Sequence, residues 1–398
     1  GVSLDHIESI KLTPDIDNNE IIINPKTTAK RVEMVLNSEK YNLIPNEDNH
    51  IKLEEVELWS PENPKLYYFT LKTNKDEVKS YFAMRKFSLV KDENNIYRLG
   101  LNNKPYFMKG LLDQGYYDKT MLTPRSEEDY INDITLTKAM GFNTLRKHIK
   151  LETLRWYYHC DRLGIIVWQD FVSGGEEYKF MTISSPLVTK LHSKDNKYKK
   201  FSRLNELGRE ETLIEFKDTI EYLYNVPSLA LWTIFNEGWG QFDSKKMTEK
   251  LLSLDKTRII DSTSGWYDTD CGDCNSHHVY FKPVKIHNDY KRALSLSEFG
   301  GYSLYLKDHA FSKKSFGYKK MYSINDLTEG IYNLFINELK PLIKHEGLSA
   351  YIYTQLSDVE DEVNGLVTYD RKVIKVDKEK IAEANDLLQQ TFNKCYIK

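Results

Sequence analysis

Hydrophobic and polar positions follow two rhythms along this chain. Over residues 1 to about 90, short runs alternate apolar and polar side chains: "HIESIKLTP", "EIIINP", "KRVEMVLN", "LYYFTLKT" and "VKSYFAMRKFSLV". A period of two sends one face of each run to a core and the other to water, and the Asn, Asp, Pro and Lys clusters between the runs mark turns. No helical period interrupts them. The pattern predicts an immunoglobulin-like β-sandwich over residues 1–90.

From about residue 96 the rhythm changes. Eight short apolar runs, "YFMKGLL", "NTLRKH", "IIVWQDF", "LALWTIFNE", "RIIDSTS", "SHHVYF", "ALSLSEFG" and "SAYIYTQLSD", now alternate with longer amphipathic segments. Runs without alternation are what strands buried on both faces look like. Helices are predicted after Ser126, where Ser126 and Asp129 have capping-box spacing and Gly141 stops the turn. Others are predicted over residues 152–163, 204–224, 245–254, 325–344 and 378–395. The link "GWYDTDCGDCN" between the fifth and sixth runs is too short for one. Eight β/α units predict a (β/α)8 TIM barrel over residues 91–398. An open doubly wound sheet is the alternative, but no glycine-rich phosphate loop follows the first run. The lysine-rich stretch between Ser185 and Arg203 reads as a solvated surface insertion.

Composition narrows the class of function. The chain has 398 residues, is 40% hydrophobic and 29% charged, and carries a formal net charge of −3. With no long basic block, phosphate neutralisation is not available, and nucleic-acid binding is excluded. No run approaches the roughly 20 apolar residues of a membrane span. The opening "GVSLDHIESIKL" has no apolar core followed by a cleavage site, so no leader is read and a cytoplasmic location is favoured. Four cysteines in a chain of this length do not form a disulfide framework. "CGDCNSHH" has one Cys-x-x-Cys pair before two histidines, and a lone pair of this kind is a weak zinc signal. The 27 tyrosines, 17 phenylalanines and 6 tryptophans are mostly core, although aromatic faces also stack on sugar rings.

In a barrel of this type the functional site lies where the C-terminal ends of the strands converge. Here those ends carry Asp113 and Gln114, Arg146 and His148, Gln169 and Asp170, Asn236 and Glu237, His278 and Tyr280, Glu298, and Gln355 and Asp358. Glu237 ends the fourth run and Glu298 the seventh, so a barrel sets them across its mouth. Two facing carboxyls suit glycosidic hydrolysis, one protonating the leaving oxygen and the other attacking the anomeric carbon. Trp239 and Trp266 lie just past the rim as flat apolar faces for a sugar. Ion pairing of both acids to Arg or Lys explains the spacing equally well, and spacing alone leaves the two open.

Longer motifs add to this reading. "LWSPENPKLYYFTL", "NNKPYFMKG", "GFNTLRKH", "DRLGIIVWQDF", "WTIFNEGWG", "LSLSEFGG" and "EVNGLVTYDRK" resemble successive segments of glycoside hydrolase family 2, which holds β-galactosidases, β-glucuronidases and β-mannosidases. The resemblance covers nearly the whole chain. It implies a retaining, exo-acting β-glycosidase of β-galactosidase-like character. Glu237 matches the family's acid/base and Glu298 its nucleophile. Asn236 matches the contact to the sugar 2-hydroxyl, Tyr280 the tyrosine touching the nucleophile, and Arg146 the arginine beneath it. His148, His278, Asp113, Asp170 and Asp358 fall where rim residues meet substrate. The partner implied is a glycoside or oligosaccharide, with homo-oligomerisation left open.

The sequence also departs from the family's pattern. The jelly-roll sugar-binding domain that normally precedes the sandwich is not in this chain. "WQDFVSGGEEYKF" has no Glu-x-His element, so no magnesium site or other cofactor is expected. "TYDRKVIK" lacks the Asn-x-Lys pair that takes a sugar carboxylate, which disfavours glucuronides. A non-catalytic carbohydrate-binding or scaffold protein is the rival reading, and retention of both carboxylates argues against it. An inverting hydrolase would need its carboxyls about 6.5–9.5 Å apart, against about 5–5.5 Å for retention. No Gly-x-Ser-x-Gly element supports serine catalysis.

Overall fold

The computed structural model describes residues 5–184, 186 and 194–397. Seven strands build the sandwich: β1 (Ile7–Asp15), β2 (Glu20–Thr27), β3 (Val32–Leu36), β4 (Glu39–Leu43), β5 (Asn49–Lys52), β6 (Tyr67–Lys72) and β7 (Glu77–Phe82). They form two antiparallel sheets, β1-β2-β5 and β4-β3-β6-β7. Alternation does the packing. Ile21, Ile23, Met34, Leu36, Phe69 and Leu71 all point into one core between the sheets.

The stretch "VKSYFAMRKFSLV", which reads as one strand, is two. β7 ends at Phe82, and β8 (Phe87–Lys91) joins a separate three-stranded sheet with β9 (Tyr97–Leu101) and β10 (Lys104–Pro105). This small sheet floors the barrel. Phe87, Leu99 and Leu101 pack with Trp59 against the interior residues Met108, Leu112, Ile166, Trp168 and Ile352.

The barrel strands are β11 (Met108–Asp113), β12 (Thr144–Lys147), β13 (Ile166–Asp170), β14 (Leu229–Asn236), β15 (Ile259–Ser264), β16 (Cys274–Val279) and β17 (Ala293–Phe299). After the short pair β18 (Tyr302–Ser303) and β19 (Lys319–Lys320), β20 (Ala350–Tyr353) is the eighth. They pair in parallel in the order β15-β14-β13-β12-β11-β20-β17-β16. The ring is near-closed: among the described residues no parallel ladder joins β15 to β16. Asp273 N–H donates to Ile260 O at 2.7 Å and Ser276 Oγ to Asp261 Oδ2 at 2.7 Å, so this seam is held largely by side chains and loop backbone.

Around the strands lie α1 (Glu127–Ala139), α2 (Leu154–Leu163), the short α3 (Phe180–Ser184), α4 (Glu206–Leu223), α5 (Ser244–Leu254), α6 (Ile324–Leu334), α7 (Lys340–His345) and α8 (Lys378–Tyr396). Among the described residues no helix joins β15 to β16. Ser126 precedes α1, but its hydroxyl caps nothing. Asp129 reaches back instead to the Arg125 N–H, at 2.8 Å. The segment predicted as one helix over 325–344 is α6 and α7 joined by a π-helical turn, Phe335–Leu339. Pro341 accounts for the break, since it supplies no N–H and crowds the carbonyl four residues back. Part of the insertion after Ser185, including residues 187–193, lies outside the described residues. No helix among the described residues is long and apolar enough to cross a membrane.

Candidate active site

The barrel interior grades from apolar at the floor to polar at the mouth. Above Trp168 and Ile166 the inward side chains become Arg146, Asp170, Asp261, Ser276 and Ser297, all buried. Charges at this depth are tolerable only with partners. Arg146 has a full set: Nε and Nη2 bond the two oxygens of Asp170 at 2.9 and 3.0 Å, and Nη2 also donates to Asn236 Oδ1 at 2.8 Å. Nη1 donates to Ser297 O at 2.9 Å and to Glu298 Oε1 at 3.2 Å. One guanidinium thus ties β12 to β13, β14 and β17.

Glu298 reaches the mouth through a slip in strand register. Leu294, Leu296 and Phe299 all face the helix layer, and the pairing of β17 with β20 shifts between Leu296 and Phe299. That extra residue breaks the alternation and turns Glu298 inward. Glu237 follows β14 in the left-handed region, with φ +51°. This conformation is costly for a side chain with a Cβ and persists where surroundings impose it. Here Glu237 N–H is held by Ser264 O at 2.9 Å.

The two carboxyls meet at one hydroxyl. Tyr280 Oη donates to Glu298 Oε2 at 2.6 Å and lies 3.2 Å from Glu237 Oε1. Oxygens of Glu237 and Glu298 and a ring nitrogen of His278 all lie within 4.8 Å of one another. Among the described residues this is the one cluster of metal-ligand type, and the Arg146 charge 3.2 Å from Glu298 works against a cation there. Burial pushes the Glu237 carboxyl up to about 7, against the fields of His148 and Arg146 and hydrogen bonds from Tyr280 and Trp239. The imidazole of His148 sits 2.9 Å from Asp170 and 4.0 Å from Glu298. Burial opposes its protonation, but Asp170 and Glu298 outweigh burial and hold it above its usual pKa.

His278 shows how the Glu237 proton is held. Burial lowers its pKa to about 3, so the ring is neutral and carries a single N–H. Its Nε2 lies 2.9 Å from Ser264 Oγ, whose own hydrogen goes to Ser297 Oγ at 2.9 Å. Ser264 therefore accepts from Nε2–H, and Nδ1 is left as an acceptor 2.8 Å from Glu237 Oε1. A protonated Glu237 completes that bond. The file continues from Ser297 to Ser276, 2.5 Å away, and on to Asp261. Gly265 shapes this arrangement: at φ +86° it leaves room for the ring, and a Cβ there would lie 2.4 Å from His278 Cγ.

Of the residues named from sequence, Glu237, Glu298, Arg146, His148, Asp170, Asn236, His278 and Tyr280 form one connected network. Trp239 and Trp266 stand half-buried at the rim, the first against Tyr178 and the second beside His278. Arg146 and Asp170 lie beneath the mouth with side-chain exposures of 0% and 1%, bonded to the groups above them. Asp113 and Asp358 fall outside. Asp113 shares the outward face of β11 with Leu111, and its partner is Lys147 at 2.6 Å, outward on β12. Asp358 pairs with Lys375 at 2.6 Å, which also bonds Leu304 O and Val363 O and so fastens the chain after β20. Both are structural ion pairs. In "CGDCNSHH", Cys274 packs in the apolar barrel interior while Cys271 contacts Thr269 and Thr248.

Sequence reasoning missed Ser264, Ser276, Ser297, Asp261, Tyr318 and Glu362. The polar run "DSTS" within an otherwise apolar strand was a signal for Asp261 and Ser264. Tyr318, stacked on Tyr280 with ring centroids 4.0 Å apart, and Glu362 come from loops with no such mark.

The model for "Glycosyl hydrolases family 2, TIM barrel domain" matches residues 90–354, and that for "Glycosyl hydrolases family 2" matches residues 20–85. The chain belongs to glycosyl hydrolase family 2. Curated family relatives include a β-galactosidase of Leuconostoc mesenteroides, 25% identical over 219 residues, covering 54% of this chain and 19% of that protein. A β-galactosidase of Staphylococcus xylosus is 26% identical over 208 residues, covering 51% and 19%. The chain thus spans about a fifth of the length of the curated relatives it matches. Solved structures of the same fold include a β-D-glucuronidase of Dictyoglomus thermophilum, with TM-score 0.73 and 14% identity over 97% of this chain and 69% of that one. A family 2 β-galacturonidase of Eisenbergiella tayi, bound to galacturonate, has TM-score 0.68 and 17% identity over 97% and 73%.

Proposed function

We propose that this chain is the catalytic part of a retaining, exo-acting β-glycosidase of β-galactosidase-like character, with residues 91–398 carrying the chemistry and residues 1–90 the sandwich beside it. The observation that carries the proposal is the pair of carboxyls meeting at Tyr280, with oxygens within 4.8 Å. That approach suits the roughly 5–5.5 Å carboxyl separation of retaining enzymes better than the about 6.5–9.5 Å of inverting ones.

In this reading Glu298 attacks the anomeric carbon, with Arg146 and Tyr280 steadying its charge. Glu237, its carboxyl pushed up to about 7 by burial so that a large share carries a proton near neutral pH, gives that proton to the departing oxygen. The glycosyl ester on Glu298 is then opened by a water whose proton returns to Glu237. The β-galactosidase names of the curated relatives support a neutral β-hexoside as substrate.

The test is a panel of nitrophenyl β-glycosides, with the product anomer read by proton NMR. Retention of configuration is expected. Glu298→Ala should lose at least about a thousandfold in kcat with its melting temperature nearly unchanged. Glu237→Ala should slow alkyl glycosides far more than nitrophenyl ones, whose leaving groups need little protonation. Hydrolysis by Glu298→Ala at the wild-type rate would end this assignment and favour a carbohydrate-binding role.

A further inference from the structure

A third carboxylate shares the mouth of the barrel with Glu237 and Glu298. Gln114 directly follows β11, Gln355 lies just beyond β20, and Glu362 and Asn364 stand on the chain that follows. Gln114 Nε2 lies 3.0 Å from Gln355 Oε1 and 3.1 Å from Glu362 Oε2. Gln355 Nε2 donates to Glu362 Oε2 at 2.8 Å and to Asn364 Oδ1 at 2.9 Å. The sheet order β12-β11-β20-β17 sets this amide cluster between His148, past the end of β12, and Glu298, at the end of β17.

Glu362, like Glu237, differs from the aspartates around the mouth in its partners. Asp113 has Lys147, Asp170 has Arg146 and Asp358 has Lys375. Among the described residues no Lys or Arg pairs with Glu362, and both amide bonds land on Oε2. Two neutral donors fix the plane of the carboxylate without cancelling its charge, and Oε1 has no hydrogen bond among the described residues. The titratable groups facing it are His148, Glu298 and the Tyr318 phenol. Burial raises its pKa, Glu298 adds to the rise, and His148 opposes it. A half-buried acid with no Lys or Arg paired to it and only the His148 imidazole opposing its charge, on the mouth it shares with the carboxyl proposed to attack the sugar, has a ligand as its natural partner.

We propose that Glu362, oriented by Gln114 and Gln355, sets the substrate class: it accepts a hydroxyl hydrogen from an uncharged pyranoside and repels one bearing a carboxylate. The inference rests on the β-glycosidase reading above and deepens it. Two like charges about 5 Å apart at an effective dielectric of about 20 disfavour each other by on the order of a hundredfold in affinity. The backbone frame shared with a glucuronidase and a galacturonidase does not itself fix the charge of the sugar.

The experiment compares kcat/KM for sugar pairs that differ only at C6, nitrophenyl β-galactoside against β-galacturonide and β-glucoside against β-glucuronide. The wild-type chain should prefer the neutral partner by about a hundredfold at pH 7. Glu362→Gln should lower that ratio at least tenfold at pH 7. Uronides cleaved as fast as neutral glycosides, or a folded Glu362→Gln with the wild-type ratio, would each overturn the proposal. Should Glu362→Gln not fold, the first outcome still decides it. Thermal shifts with galactose and galacturonate read the same selectivity without turnover. If hydrolysis of every substrate is absent, the glycosidase reading fails, while equal stabilisation by the two sugars would overturn the role of Glu362 separately.

Discussion

Glu237 and Asp261 stand at opposite ends of one hydrogen-bonded file, through His278, Ser264, Ser297 and Ser276, and burial pushes both carboxyls up, to about 7 and about 6. For Asp261 this has a sign. Its usual value is 3.8, so the folded state holds its proton more tightly than the unfolded chain does. Its contribution to stability is complete below about pH 3.8 and is lost as pH rises toward 6; at pH 7 it is a net cost. Asn keeps an oxygen for Ser276 and cannot ionise. Asp261→Asn should therefore stabilise the fold by about 1–3 kcal/mol at pH 7.5, an advantage that vanishes near pH 4. Denaturant titrations at the two pH values check it, and equal midpoints for both proteins at pH 7.5 would refute it. Asp113 and Asp358 teach a different lesson at this scale. A strand-end position says that a side chain is near the rim but not which face it takes. In β11 each face carries a buried leucine, so the side of Asp113 was set by its parity with Leu111, invisible until the barrel interior was known.

At the scale of elements, burial decides what was legible. Seven of the eight barrel strands are buried from end to end, β16 at all but His277, and most read as apolar runs. β4 and β5 each bury a single residue, Leu43 and Ile51, and left no pattern to find. Loops left no such pattern, and the demand on Gly265 shows only in the structure. The loop after β15 brings its backbone against the His278 ring, and a methyl group there has no space. Gly265→Ala should push His278 off Glu237 and lower kcat at least tenfold. Its cost to stability should be larger than the roughly 1 kcal/mol of a strained φ alone, because the ring must move too. A steady-state assay beside a melting curve separates the two effects, and wild-type kcat in a folded Gly265→Ala would show that the ring's place does not matter.

Across the whole molecule, sandwich and barrel share buried groups. Trp59, with no exposed surface, fills the floor cluster, and its indole N–H bonds Asp161 O at 2.8 Å. Tyr81 Oη donates to Asp161 Oδ2 at 2.8 Å, and Arg85 Nε reaches Pro227 O at 2.8 Å. With this much common core, the chain should melt in one transition by calorimetry. Trp59→Ala should lower its midpoint by several degrees, the equivalent of about 3–5 kcal/mol. A variant in which one part melts early and the other keeps the wild-type midpoint would show that the two are independent.

The seam between β15 and β16 gives the barrel a direction in which to open. Seven of its eight joints are parallel ladders, which resist parting cooperatively; the eighth is fastened by hydroxyls, the carboxylates of Asp261 and Asp273, loop backbone and a ring. Part of the clasp that keeps this joint shut, the Ser264–His278 bond, is also the cradle that holds the Glu237 proton, so that a breath of the cylinder along that line would disarm the acid.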